Sequence, residues 1–171
     1  MTINIVLIGM PGSGKTTVGM VLSRLTPLRF IDLDKQIENH LGIPVPRIFA
    51  EYGEPFFRKA ESEEAAAVSG MNGVIISCGG GIVLNEKNMD NLRRNGTVFY
   101  LECSPEILCE RIKKGNRPLL TAFGDIYKIF NEREHLYKKY SDYTIDNGFN
   151  TPEQSATKIL EYFNIYGEPH A

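Results

Sequence analysis

The sequence predicts an α/β protein in three layers, with a parallel β-sheet covered by helices on both faces. Short apolar, β-branched segments alternate along the chain with longer segments of helical spacing. A glycine-rich loop follows the first predicted strand and leads directly into the first predicted helix. The chain has 171 residues, of which 42% are hydrophobic and 23% charged. We therefore expect residues 1–171 to form one globular domain.

Five strands and the helices between them are predicted in order. The strands are residues 3–8, 30–34, 74–77, 97–102 and 142–145. The helices are residues 17–25, 35–41, 44–70 with an interruption around Gly53-Glu54-Pro55, 85–95, one opening at Ser104-Pro105, 131–140, and one from Thr151 to about Phe163. Parallel strands end at the same edge of a sheet, so the segments that follow them should face one crevice.

Residues 9–16, Gly-Met-Pro-Gly-Ser-Gly-Lys-Thr, match the phosphate-binding pattern G-x-x-x-x-G-K-[ST] at every fixed position. The start of the following helix offers unpaired N–H groups to an anion. We expect Lys15 to reach the β- and γ-phosphates and the Thr16 hydroxyl to reach Mg²⁺. The alternative is a glycine-rich turn that merely precedes a helix. The flanking strand and helix favour a site for a nucleoside triphosphate.

Asp32 and Asp34 stand at the end of the second predicted strand. If the strand continues through both residues, their side chains point to the same side of the sheet. One carboxylate can then serve Mg²⁺, and the other can accept a proton from an attacking hydroxyl. The alternative is that Asp34 caps the following helix. The two interpretations are compatible.

Two further features carry both a structural and a functional interpretation. Arg58 and Glu61 lie three residues apart in helical sequence, and therefore on one face of the helix. They form either a surface ion pair or a pair in which Glu61 holds the Arg58 guanidinium ready for an anionic substrate. Spacing does not distinguish the two. Gly79, Gly80 and Gly81 directly follow the third strand, where they form either a flexible loop or a close backbone approach to a ligand.

A basic segment before Arg117-Pro118-Leu119-Leu120 is followed by small and polar residues. We consider a lid that lowers Arg117 onto phosphates, with a solvated basic loop as the alternative. The formal net charge of −2 argues against binding nucleic acid through bulk charge. The three cysteines have no metal-ligand spacing, so we expect free thiols in a reducing cytoplasm. Neither a signal peptide nor a transmembrane segment is predicted.

Taken together, these motifs resemble the shikimate kinases. They are the glycine loop with Thr17, Asp32-x-Asp34, Phe57-Arg58-x-x-Glu61, the three glycines and Arg117-Pro118-Leu119-Leu120. The resemblance spans roughly residues 3–165. It implies the fold of the nucleoside monophosphate kinase group, a five-stranded parallel sheet in the order 2-3-1-4-5. It also implies transfer of phosphate from ATP to shikimate in aromatic amino-acid biosynthesis.

The resemblance further implies the roles of individual residues. Residues 33–70 would be the substrate-binding helices and residues 112–127 the lid. Catalysis would involve Lys15, Asp34 and Arg117, and Mg²⁺ would be served by Thr16 and Asp32. ATP would be bound by Gly12, Ser13, Gly14, Lys15, Thr16, Thr17, Arg111 and Arg117. Shikimate would be bound by Asp34, Arg58, Gly79, Gly80, Gly81 and Arg133. We expect a cytoplasmic monomer whose partners are small molecules, without nucleic acid or membrane.

The chain departs from the family pattern near Arg133. The family usually has Arg-x-Pro-x-Tyr, whereas His135 replaces the proline here, and the interval from Arg117 to Arg133 is a few residues short. Two other functions remain open at this point. One is another small-metabolite kinase, such as a gluconate kinase, which would not need Arg58. The other is a nucleotide-dependent switch, but the Asn-Lys-x-Asp signature of guanine binding does not occur in this sequence.

Overall fold

A five-stranded parallel sheet in the order β2-β3-β1-β4-β5 forms the centre of the computed structural model, which describes residues 3–115 and 123–166. The strands are β1 (Asn4–Ile8), β2 (Arg29–Asp32), β3 (Val74–Ser77), β4 (Gly96–Glu102) and β5 (Tyr143–Asp146). The helices are α1 (Lys15–Leu25), α2 (Leu33–Leu41), α3 (Val45–Ser69), α4 (Glu86–Arg93), α5 (Pro105–Gly115), α6 (Phe123–Tyr140) and α7 (Pro152–Tyr166), with a 3₁₀ turn at Ile82–Leu84. The predicted sheet order is confirmed.

The central strand β1 shows why both faces of the sheet are covered. Its side chains alternate between two separate cores. Val6 and Ile8 pack towards a core that includes residues of α3, α4, α5 and α6. Ile5 and Leu7 pack towards α1 and α7 on the opposite face. A strand that is buried on both faces must be apolar throughout its length, as this one is apart from Asn4.

Asn4, the polar residue at the start of β1, is 1% exposed, and its side chain closes the amino-terminal edge of the sheet. Its amide nitrogen donates to the carbonyl of Met71 at 2.8 Å, and its amide oxygen accepts from the backbone of Val74 at 3.1 Å. These two bonds satisfy backbone groups that would otherwise be buried without partners.

Several local predictions are confirmed by the contacts that begin or interrupt helices. The interruption predicted near Gly53 is present inside α3, where Gly53 adopts φ 80° and ψ 170° two residues before Pro55. At the start of α7, Thr151 and Gln154 exchange side-chain-to-backbone hydrogen bonds of 3.2 and 2.8 Å, which is the predicted capping box. The cysteines are free and buried.

The prediction for the second strand is wrong at its carboxyl end. The strand stops at Asp32, and Asp34 lies in the first turn of α2. The reason is a helix cap, in which Asp32 Oδ1 accepts from the backbone N–H of Lys35 at 3.2 Å. Asp32, rather than Asp34, is therefore the capping residue. Within residues 3–115 and 123–166, no helix is long and apolar enough to cross a membrane.

The packing of α1 on β2 gives a prediction in which helix propensity and sterics oppose each other. A Cβ at Gly19 would lie 2.8 Å from Cδ2 of Phe30 and still closer to another atom of that ring. We expect Gly19→Ala to lower the free energy of unfolding by about 1–2 kcal/mol, because overpacking outweighs the gain in helix propensity. Thermal or denaturant unfolding measures the change.

Gly70→Ala is the matched control at the end of α3. Its Cβ would come no closer than 3.6 Å to another atom, and its φ of −78° suits alanine. This variant should be neutral or gain up to about 1 kcal/mol. If Gly19→Ala proves as stable as Gly70→Ala, the close packing between α1 and Phe30 is not a constraint.

Candidate active site

A cleft of about 550 Å³ opens at the carboxyl-terminal edge of the sheet. Four strands deliver polar or glycine-rich segments to it: the phosphate loop after β1, Asp32 at the end of β2, the three glycines after β3 and Asn147 after β5. The cleft is lined by Pro11, Gly12, Gly14, Lys15, Thr16, Thr17, Asp32, Asp34, Ser77, Cys78, Gly79, Gly80, Arg111, Asn147, Asn150 and Pro152. Most of the residues predicted from the sequence thus meet in one place.

The phosphate loop wraps around the ammonium group of Lys15. Its Nζ donates to the carbonyls of Gly9 and Met10 at 2.9 and 2.8 Å and to the hydroxyl of Ser13 at 3.4 Å. Lys15 is 7% exposed and is the first residue of α1. A positive charge is therefore held beside the amino terminus of a helix, where both favour a bound phosphate.

Thr16 and Asp32 form the oxygen pair on the floor of the cleft. The Thr16 hydroxyl donates to Asp32 Oδ2 at 2.8 Å. Hydroxyl and carboxylate oxygens are suitable ligands for Mg²⁺, which commonly uses few protein ligands and completes its shell with water and phosphates. Among the residues that the structure describes, no three His, Cys, Asp or Glu side chains cluster around a metal position. The donor set thus fits a magnesium ion shared with a nucleotide.

Asp34 reaches the cleft from the first turn of α2. Burial raises its pKa above the usual value, and the negative charge of Asp32 raises it further, while Lys15 acts in the opposite direction. Its Oδ1 is buried and makes no hydrogen bond to any described residue. A carboxylate with a raised pKa and an unused acceptor is suited to accept a proton from a hydroxyl.

Arg58 is held by two carboxylates on its own helix. Its Nη1 donates to Glu61 Oε2 at 2.8 Å, and its Nε and Nη2 both donate to Glu54 Oε1 at 3.1 and 3.0 Å. Glu61 is 1% exposed, so the interpretation as a surface ion pair is wrong. Burial raises the pKa of Glu61, and Arg58 opposes that shift.

The three glycines are required by what surrounds them. A Cβ at Gly79 would lie 2.8 Å from Asp34 Oδ1 and 3.1 Å from Glu61 Oε1, and one at Gly81 would overlap the Arg58 guanidinium. Glu61 Oε1, like Asp34 Oδ1, is buried without a partner in the described chain. Two unused acceptor oxygens therefore converge beside the glycine loop, which supports a close approach rather than a flexible turn.

Arg133 comes to the same region from α6. Its charge acts on both Glu61 and Tyr137, although burial dominates for the tyrosine and raises the pKa of Tyr137 to about 12. The Nε of Arg133 is buried and has no hydrogen-bond partner among the described residues. A second guanidinium thus lies near the Arg58 and Glu61 pair.

The opposite wall of the cleft includes Asn147, which the sequence did not predict, beside Arg111, which it did. Asn147 donates to the carbonyl of Ser13 at 2.5 Å and accepts from the Ser155 hydroxyl at 2.5 Å. Arg111 donates to the carbonyls of Asn147 and Ser13 at 2.6 and 3.3 Å. Asn147 lies two residues after the predicted fifth strand, which was the signal that could have identified it.

The predicted lid, residues 112–127, is only partly described. Residues 112–115 belong to α5 and residues 123–127 to α6, whereas Arg117 lies outside the described residues.

Comparison with known proteins agrees with this geometry. The sequence model of the shikimate kinase family matches residues 11–164. The shikimate kinase of Methylococcus capsulatus is 38% identical over 168 residues, which cover 96% of this chain and 94% of that protein. The shikimate kinase of Thiobacillus denitrificans is 40% identical over 169 residues, covering 96% and 89%.

A solved structure is similar over nearly the full length. Shikimate kinase from Acinetobacter baumannii, determined in complex with shikimate, superposes with a TM-score of 0.90 at 31% sequence identity, covering 96% of this chain and 94% of that one. A shikimate kinase from Aquifex aeolicus gives a TM-score of 0.82 at 34% identity, covering 96% and 98%. The chain therefore belongs to the shikimate kinase family.

Proposed function

We propose that this protein transfers the γ-phosphoryl group of ATP to a hydroxyl of shikimate, giving shikimate 3-phosphate and ADP. The observation that carries the proposal is the chemistry beside the glycine loop. Two buried acceptor oxygens, on Asp34 and Glu61, lie there together with the guanidinium of Arg58. An acceptor with both hydroxyl groups and a carboxylate matches that set, because hydroxyls donate to carboxylates and a carboxylate accepts from guanidinium.

Each described residue has a role in the proposed transfer. The shikimate hydroxyl oxygen forms the new bond to the γ-phosphorus, and its proton passes to Asp34. The bond from the γ-phosphorus to the β–γ bridging oxygen breaks, and its electron pair leaves with ADP. Lys15 and the amide groups of Gly12, Ser13 and Gly14 stabilise the phosphate charge.

Thr16 and Asp32 would hold Mg²⁺, which neutralises phosphate charge when bound. On the nucleotide side, Thr17 and Arg111 line the same cleft and would contact ATP. Arg117 is proposed as the lid arginine by family resemblance. A monomeric, cytoplasmic protein without nucleic-acid or membrane partners remains a prediction.

An acceptor panel tests the proposed function. We expect turnover with shikimate, and not with gluconate or nucleoside monophosphates.

Arg58→Lys should raise the KM for shikimate about tenfold while the KM for ATP stays unchanged, because lysine keeps the charge but cannot present a planar fork. The matched control is Arg47→Lys, since Arg47 pairs with Glu51 on the same helix but is 66% exposed. Equal behaviour of the two lysine variants, or turnover with another acceptor only, contradicts the proposal.

Asp34→Asn should lower turnover and raise the melting temperature at high pH. Without a proton acceptor, turnover should fall by about 10²–10⁴. Because the folded-state pKa of Asp34 is raised, its ionised form is destabilising, and stability is lost as the pH rises through that pKa. The variant should therefore melt above the wild type at pH 8, and the gap should narrow as the pH falls towards 4.

Asp90→Asn is the control for this experiment, because Asp90 is exposed on α4. It should change neither turnover nor the pH dependence of melting. Full turnover in Asp34→Asn would leave Asp34 without a catalytic role.

Gly81→Ala should damage acceptor binding more than nucleotide binding. The added methyl group overlaps the Arg58 guanidinium, which lies at the end of a flexible side chain and can move away. We expect the KM for shikimate to rise at least about tenfold through lost charge-assisted hydrogen bonds and the melting temperature to fall because the buried Arg58–Glu61 pair is disturbed, with the KM for ATP nearly unchanged. Gly70→Ala again serves as control. An unaltered KM for shikimate would show that Arg58 does not need its observed position.

A further inference from the structure

Tyr137 lies where the acceptor side of the site meets the phosphate loop. It is on α6, one turn after Arg133, and is fully buried. Its hydroxyl donates to the carbonyl of Gly80 at 2.5 Å and lies 3.8 Å from the sulfur of Met10 in the phosphate loop. One side chain therefore contacts both loops that follow the central strands.

The bond to Gly80 fixes more than one atom. A peptide group is planar and trans, so holding the Gly80 carbonyl towards Tyr137 turns the N–H of Gly81 to the opposite side. A Cβ at Gly80 would lie 2.6 Å from Cδ of Pro11, so this loop also packs directly against the phosphate loop. Glycines have wide backbone freedom, and a run of three needs an external contact to keep one conformation.

Tyr100 provides an internal comparison. Its ring stacks on that of Tyr137 with centroids 5.2 Å apart, and both rings are fully buried in the same core. The hydroxyl of Tyr100 is buried but has no hydrogen-bond partner among the described residues. The two tyrosines thus share packing and differ in their hydrogen bonds, since the Tyr137 hydroxyl bonds to the carbonyl of Gly80 and to the side chain of Arg133.

We propose that Tyr137 is a positioning residue for the acceptor. Its hydroxyl holds the Gly80–Gly81 peptide in the orientation that shikimate contacts, and it ties this loop to the helix that carries Arg133. The inference rests on the proposed function, because it assigns the glycine loop to shikimate binding. Tyr137 itself does not touch the reacting atoms.

The test compares Tyr137→Phe with Tyr100→Phe, which remove one hydroxyl each from stacked rings. In Tyr137→Phe the KM for shikimate should rise at least about threefold, because the hydroxyl loses its bond to Gly80 and its bond to the Arg133 side chain. The KM for ATP should stay within about twofold of the wild type. Tyr100→Phe should leave both constants unchanged, because its hydroxyl has no hydrogen-bond partner to lose within residues 3–115 and 123–166.

Backbone amide exchange supplies a readout that does not depend on turnover. Exchange at residues 80–82 should accelerate in Tyr137→Phe and remain at the wild-type rate in Tyr100→Phe. Equal effects on the two KM values, or unchanged exchange at residues 80–82, would overturn the positioning role. If the wild type fails to phosphorylate shikimate, the proposed function fails separately, and the exchange experiment still decides whether Tyr137 holds the loop.

Discussion

The burial of the Glu61 carboxylate is the constraint on which the acceptor side of the site depends. A carboxylate that is 1% exposed is costly unless it is paired, and the guanidinium of Arg58 is its partner at 2.8 Å. The pair needs both residues on one face of a helix, which their spacing in α3 provides. It also needs space beside the guanidinium, which the absence of a Cβ at Gly81 provides.

The same region leaves several polar groups without protein partners. Within the described residues, five buried side-chain polar atoms have no hydrogen-bond partner, and three of them belong to Asp34, Glu61 and Arg133. Such groups cost stability, so their concentration at one place has a functional explanation. Asp34 and Glu61 both lie beside Gly79, and Arg133 is close enough to act on the charge of Glu61. Under the proposed function, the cost to the fold is the counterpart of acceptor recognition.

The sequence was sufficient for the fold and for the parts of the site that depend on local pattern. The phosphate loop, the strand order expected from family resemblance and the break at Gly53 are all present. The error at Asp34 has a local cause. An aspartate after a short apolar run is compatible both with the end of a strand and with the capping position of a helix. Spacing also could not say whether Arg58 and Glu61 were exposed, since burial is set by the β3 loop that packs over them.

Other parts of the site depend on contacts between residues far apart in the chain. Tyr137 bonds to Gly80, and Asn147 bonds to Ser13, across 57 and 134 residues respectively. Tyr137 is the last residue of the Arg-x-Pro-x-Tyr pattern and Asn147 belongs to no motif, so the sequence assigned a contact to neither side chain. Their positions follow from the parallel topology, which brings the ends of β1, β3 and β5 to one edge. Only the assembled sheet shows that these residues support the loops.

The contacts of Arg58 indicate what a substrate carboxylate must displace in order to bind. Its Nε and Nη2 donate to Glu54, whose side chain is 57% exposed, whereas its Nη1 donates to the buried Glu61. A substrate carboxylate that takes the Nε and Nη2 edge must displace Glu54. Exposed ion pairs contribute little, so that exchange costs little, while breaking the buried pair would leave an uncompensated charge. The arrangement therefore lets one guanidinium bind an incoming carboxylate and still neutralise Glu61. This arrangement requires one glutamate before Arg58 and one after it on the same helix, as Glu54 and Glu61 are in α3.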